Sequence, residues 1–127
     1  MEPAESPANS AEKAESFAQQ GLDRLHSGDA AAAAVSFAAA VAADTQHIEA
    51  HHGLIRALTD SEQFDAAIAA ARRLTELTPD DPLAFAGLSI ALQRGGHIPE
   101  AESAAGRARI LEWKHQLAAD PAEEPRI

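Results

Sequence analysis

The segment IEAHHGLIRALTDSEQFDAAIAAARRLTELTPDD, residues 48–81, decides the fold. Apolar side chains at Leu54, Ile55 and Leu58, and again at Phe64, Ile68 and Leu74, return at helical spacing. The polar turn at 60–63 separates the two runs. TPDDP (78–82) ends the second, because two prolines flanking paired aspartates cannot continue a helix. One helix–turn–helix unit thus fills 34 residues.

The same unit lies on both sides of this segment. Ala33, Ala67 and Ala101 fall 34 residues apart, as do Phe17, His51 and Phe85, then Ala40, Leu74 and Ala108, then Ala43, Leu77 and Leu111. The reading is six helices, at about 11–26, 30–43, 48–60, 65–77, 83–94 and from around Pro99 to about Leu117. Ser10 is the expected N-cap of the first, and Gly28 and Gly95–Gly96 are stops.

A helix pair repeating every ~34 residues is the signature of tetratricopeptide repeats. Residues 14–47, 48–81 and 82–115 resemble three of them in tandem. The resemblance rests on Gly21, Ala33, Phe37 and Ala40 in the first, on Leu54, Phe64, Ala67 and Pro79 in the second, and on Leu88, Gly96, Ala101 and Ala108 in the third. It implies an all-α, right-handed α-solenoid of three helix pairs, with the last helix extended as a C-terminal cap. The folded domain is expected over 11–117, between acidic disordered tails at 1–10 and 118–127. The segment 88–117 also resembles the ends of short bacterial tetratricopeptide proteins of unassigned role. Thr45 in place of a closing proline, Ile55 and Ser89 in place of Gly21, and Arg24 at an apolar position depart from the pattern. Arg24 is expected to weaken the first pair.

Each pair is too small to bury its own apolar face, so neighbours must stack. Alanines at 33, 67 and 101 permit close approach. The larger Phe17, Phe37, Leu54, Phe64, Leu77, Phe85, Leu88, Leu92 and Ile98 are expected to fill the core.

Composition excludes several function classes. The net charge of −10, from 20 acidic and 10 basic residues, repels nucleic acid and anionic membrane surfaces. There is no cysteine for a disulfide, a thiol nucleophile or a thiolate-bound metal. The start, MEPAESPANS, has neither half of a signal peptide, and no apolar run is long enough to span a bilayer. The expected location is the cytoplasm. Neither GxSxG nor a glycine-rich phosphate loop occurs, so the chain is read as non-enzymatic, with no catalytic residues and no cofactor.

The histidines of HIEAHH (47–52) are the one metal-like cluster. His47 and His51 are four apart, as two zinc ligands on a helix would be. Repeat phase places His51 in the core, at the position of Phe17 and Phe85 in the other repeats, His52 on the concave face and His47 before the helix. No third ligand joins them, so no metal site is expected. His26, His97 and His115 are read as solvated.

Family resemblance implies a peptide bound along the concave face, formed by the first helix of each pair. By register that face carries Glu15, Ala18, Leu22, Glu49, His52, Arg56, Leu83, Ala86, Ile90, Gln93 and Arg94. The expected contacts are Leu22, Glu49, His52, Arg56, Leu83, Ile90, Gln93 and Arg94. Arg56 and Arg94 are the expected charge partners and Leu22, Leu83 and Ile90 the apolar anchors. Chaperone-binding members of the family hold a terminal carboxylate with Lys, Asn and Arg at positions that are Ala18, Leu22, Gly53, Leu83 and Gly87 here, so that clamp is missing. The alternative is self-assembly, as a homodimer or longer stack, through Ile110, Trp113 and Leu117, unless the end of the last helix folds back to cover the third unit.

Overall fold

The computed structural model describes residues 7–119. Six helices follow in order: α1 (Pro7–His26), α2 (Ala30–Ala43), α3 (Ile48–Asp60), α4 (Phe64–Leu77), α5 (Pro82–Arg94) and α6 (Ile98–Ala119). Each helix packs on the next in sequence. The odd-numbered helices also touch one another, α1 on α3 and α3 on α5, while α6 packs on α5 and reaches α4 through the Arg72–Glu100 ion pair at 2.8 Å. This is an α-solenoid of three helical hairpins, with α1, α3 and α5 side by side along its concave face.

The turn within each hairpin is built the same way three times. The backbone N–H of Asp29, Gln63 and His97 reaches back to the carbonyl of Arg24, Leu58 and Leu92, at 2.9, 2.8 and 2.8 Å. This is a Schellman closure, which needs a left-handed residue just past the helix end. Gly28 and Gly96 take it at φ 86° and 87°; in the middle hairpin Glu62 is forced to φ 62°, at a cost of about 1 kcal/mol. Asp29 caps α2 and Asp81 caps α5 through their carboxylates, the latter just before Pro82. α3 is capped by an imidazole, as His47 Nδ1 accepts from the Ala50 N–H at 3.0 Å.

Both outer helices run further than expected. α1 starts at Pro7 rather than after Ser10. Proline suits a first helical position, and the alanines that follow carry the helix through the polar stretch 9–13. α6 continues to Ala119. Residues 1–6 and 120–127, most of the two expected tails, lie outside the described residues.

Small residues dominate the core. Ala33, Ala40, Ala50, Ala57, Ala67, Ala71, Ala84 and Ala91 are fully buried, and Phe37, Leu74 and Leu92 are the largest side chains completely enclosed. Ile98, expected inside, is 48 % exposed. Its counterpart one repeat earlier, Phe64, is sheltered by Gly95 and by the Arg94 guanidinium 5.7 Å above its ring, whereas no described residue shelters Ile98 in that way. Arg24 is also placed differently from the expectation. Among the described residues no helix packs before α1, so the site that Leu58 and Leu92 fill in later repeats is open there. Arg24 lies across α2 instead, donating to Ser36 Oγ at 2.7 Å and the Ala32 carbonyl at 3.2 Å. It ties the first pair together rather than loosening it.

Candidate functional site

The concave face holds two adjoining pockets, one in each seam between odd-numbered helices. The first, of about 340 Å³, lies between α1 and α3; the second, of about 360 Å³, lies between α3 and α5. His52 and Arg56 line both and form the ridge between them.

The seams are filled by opposite means. In the first, the Phe37 ring pushes up from α2 between Gly21 and Gly53 and forms the pocket floor. A Cβ on Gly21 would come within 2.7 Å of that ring, and one on Gly53 would overlap it. In the second seam the residue equivalent to Phe37 is Ala71, too short to reach the floor. Ile55, the counterpart of Gly21, supplies the bulk and leaves the Gly87 position open, its methyl 3.9 Å from where a Cβ would be. The departure at Ile55 is therefore half of a volume exchange whose other half is Ala71.

Leu22 lines the first pocket, and Leu83 and Ile90 the second; they are 42 %, 67 % and 54 % exposed. Glu49 lines the first pocket and Arg94 the second. Gln93 is exposed but belongs to neither. Arg56 Nε lies 3.7 Å from the Asp60 carboxylate one turn on, so part of its charge is already met. Sequence register singles out neither Asp60 nor Phe37 as a residue of the groove. The paired glycines Gly53 and Gly87 were visible, but a glycine's repeat position does not tell which side chain fills the space above it.

Each histidine of HIEAHH is engaged by the chain itself. His51 is buried, with Nε2–H donating to the Thr45 carbonyl at 2.9 Å. It fastens the loop whose counterpart in the next repeat is stiffened by Pro79. His47 uses Nδ1 for the cap, so Nε2–H is the nitrogen that donates to Glu15 Oε2 at 2.9 Å, linking α3 to α1. His52 Nε2 sits 3.7 Å from Asp81 at the start of α5. Among the described residues no three His, Cys, Asp or Glu side chains gather as a metal site. His26, His97 and His115 are exposed.

At the far end, α6 buries Ala101, Ala104 and Leu111 against the rest of the stack, and from Glu112 onward every described residue is exposed. The last eight residues project about 12 Å past the paired part of the helix. Ile110, Trp113 and Leu117 are 47 %, 61 % and 59 % exposed. The extension does not fold back on the third hairpin. Among the described residues no helix is long and apolar enough to cross a membrane.

Three tandem hairpins on one 34-residue period, stacked with their first helices on a concave surface, define a helical-repeat solenoid. The profile of the tetratricopeptide repeat family matches residues 24–91. The chain belongs to that family. Solved structures agree in fold. The second tetratricopeptide domain of Spaghetti (RPAP3), bound to the HSP90 peptide SRMEEVD, is 19 % identical, with a TM-score of 0.75 over 83 % of this chain and 96 % of that one. The Yersinia enterocolitica type III secretion translocator chaperone SycD is 21 % identical, with a TM-score of 0.72 over 85 % of this chain and 86 % of that one. MamA is 21 % identical, with a TM-score of 0.75 over 84 % of this chain; the chain spans 62 % of MamA's length.

Proposed function

We propose that this protein is a protein-interaction module that holds a segment of a partner in its concave groove. The observation that carries the reading is the pair of adjoining pockets, each apolar at its floor and each rimmed by charged side chains. A groove of this kind suits a segment with apolar anchors, and the guanidinium groups of Arg56 and Arg94 suit an acidic group on it. One structural neighbour is bound to a peptide and another is a chaperone, which supports the class of function. The residues at the clamp positions, Ala18, Leu22, Gly53, Leu83 and Gly87, disfavour the terminal-carboxylate mode of chaperone-binding members.

Affinity capture with mass spectrometry names the partner, and titration of the purified pair tests the groove. Arg56→Glu with Arg94→Glu is expected to weaken binding about tenfold or more, since each position trades an attraction for a repulsion. Helical circular dichroism should not change. Full affinity in that double variant would remove the groove from the interaction.

A second reading, self-association, is favoured by Trp113 standing out from the end of α6, which no described residue covers. Ile110, Trp113 and Leu117 together offer roughly 300 Å², short of the ~800 Å² per partner of a stable interface. A weak, concentration-dependent dimer is the form this would take. Light scattering at high micromolar concentration should then show a dimer that Trp113→Ala dissociates. A monomer there would dismiss this reading.

A further inference from the structure

The two pockets differ in sign. The first is walled by Glu15 and Glu49 against Arg56 alone. The second is walled by Arg56 and Arg94 against Asp60 alone. Counting these groups, the first carries −1 and the second +1. The gradient continues outward at the α1 end, where Glu12 and Asp23 share a shallow surface with Glu15. At the other end the Arg94 guanidinium is propped over the Phe64 ring at 5.7 Å, and so remains beside the second pocket. Asp81, at the start of α5, accepts from the Leu83 N–H at 2.9 Å and faces His52.

The pockets also fix a length. They lie in successive seams, so their centres are one helix apart, roughly 10 Å. Two side chains on one face of an α-helix, seven residues apart, are separated by about 10.5 Å. A β-strand offers about 7 or 13 Å on one face and misses. A polyproline segment matches the length but needs an aromatic-lined groove, and Phe37 is the one aromatic side chain lining either pocket.

From these observations, and resting on the groove reading above, we infer that the partner segment is a charge-ordered amphipathic helix. It carries apolar anchors at i and i+7, basic side chains beside the anchor in the α1–α3 seam, and acidic ones beside the anchor in the α3–α5 seam. The chain's net charge of −10 favours any basic ligand at long range. Salt screens that field beyond about 8 Å, while the walls act within contact distance of each anchor. Charge order along the segment, rather than total charge, therefore selects the ligand.

Three labelled helical peptides test this, each with two leucines seven residues apart. One has lysines around the first leucine and glutamates around the second; one has lysines around both; one has glutamates around both. Fluorescence anisotropy at near-physiological salt should rank the charge-ordered peptide about tenfold tighter than either uniform one. On Arg94→Glu protein, where both pockets are acidic, the all-lysine peptide should become the tightest. If the all-lysine peptide binds the unaltered protein as well as the ordered one, or if all three bind alike, charge order is refuted while the groove reading stands. If none binds, the groove reading falls and this inference falls with it.

Discussion

Replacing Phe37 by alanine is expected to lower folding stability by about 3–5 kcal/mol, a large part of the ~5–15 kcal/mol of a typical domain. Phe37 is 1 % exposed and is the only side chain that reaches through the first seam, from α2 to the concave floor. Alanine would leave a void that α1 and α3 cannot close, because Gly21 and Gly53 present no side chains to it. The second seam shows how the chain fills the same space otherwise, with isoleucine on the concave helix and alanine behind it. Adding Gly21→Ile to Phe37→Ala copies that solution and should restore at least ~2 kcal/mol by urea denaturation, within the usual coupling between residues in contact. Gly21→Ile alone should destabilise, since its side chain would meet the Phe37 ring. Additive losses in the double variant would show that the seams are not equivalent packing solutions.

Gly53→Ala and Gly87→Ala, the same change at one repeat position, should move stability in opposite directions. At Gly53 the new methyl would overlap the Phe37 ring, which is enclosed and has nowhere to turn. Overpacking of this kind costs about 1–3 kcal/mol, a melting-point loss of roughly 4–11 °C for a domain of this size. At Gly87 the methyl would meet only Ile55 at ordinary van der Waals distance. The better helix propensity of alanine should then raise stability by about 0.5–1 kcal/mol. Thermal melts of both variants decide it, and a loss at both positions would mean that helix contact, not Phe37, sets the requirement for glycine.

The helices and their turns were legible from residue types because they depend on local chemistry. Helix formers, glycines past the helix ends and prolines at the breaks repeat at one interval, so α2 and α3 fall where periodicity puts them. Boundaries were misread where that interval offered no comparison, at the start of α1 and the end of α6. Most of the concave face was legible too, since register alone brings Leu22, Glu49, His52, Arg56, Leu83, Ile90 and Arg94 to the pockets. Gln93 is exposed on the same helix as Arg94 but lines neither pocket. His51 followed from phase, but its hydrogen bond to the Thr45 carbonyl did not, as a loop's path is not periodic.

By itself, then, the sequence determined a three-fold repeat, its hairpins and the helices that line the groove. These are properties of neighbouring residues multiplied by a period. Only the tertiary structure decided what fills each seam, which charges are already met, and the opposite signs of the two pockets. Those depend on residues far apart in the chain, such as Gly21, Phe37 and Gly53 or Glu15 and Glu49 against Arg56 and Arg94. Their volumes and charges acquire meaning only when summed in one place, because close packing couples every atom in a seam to all the others.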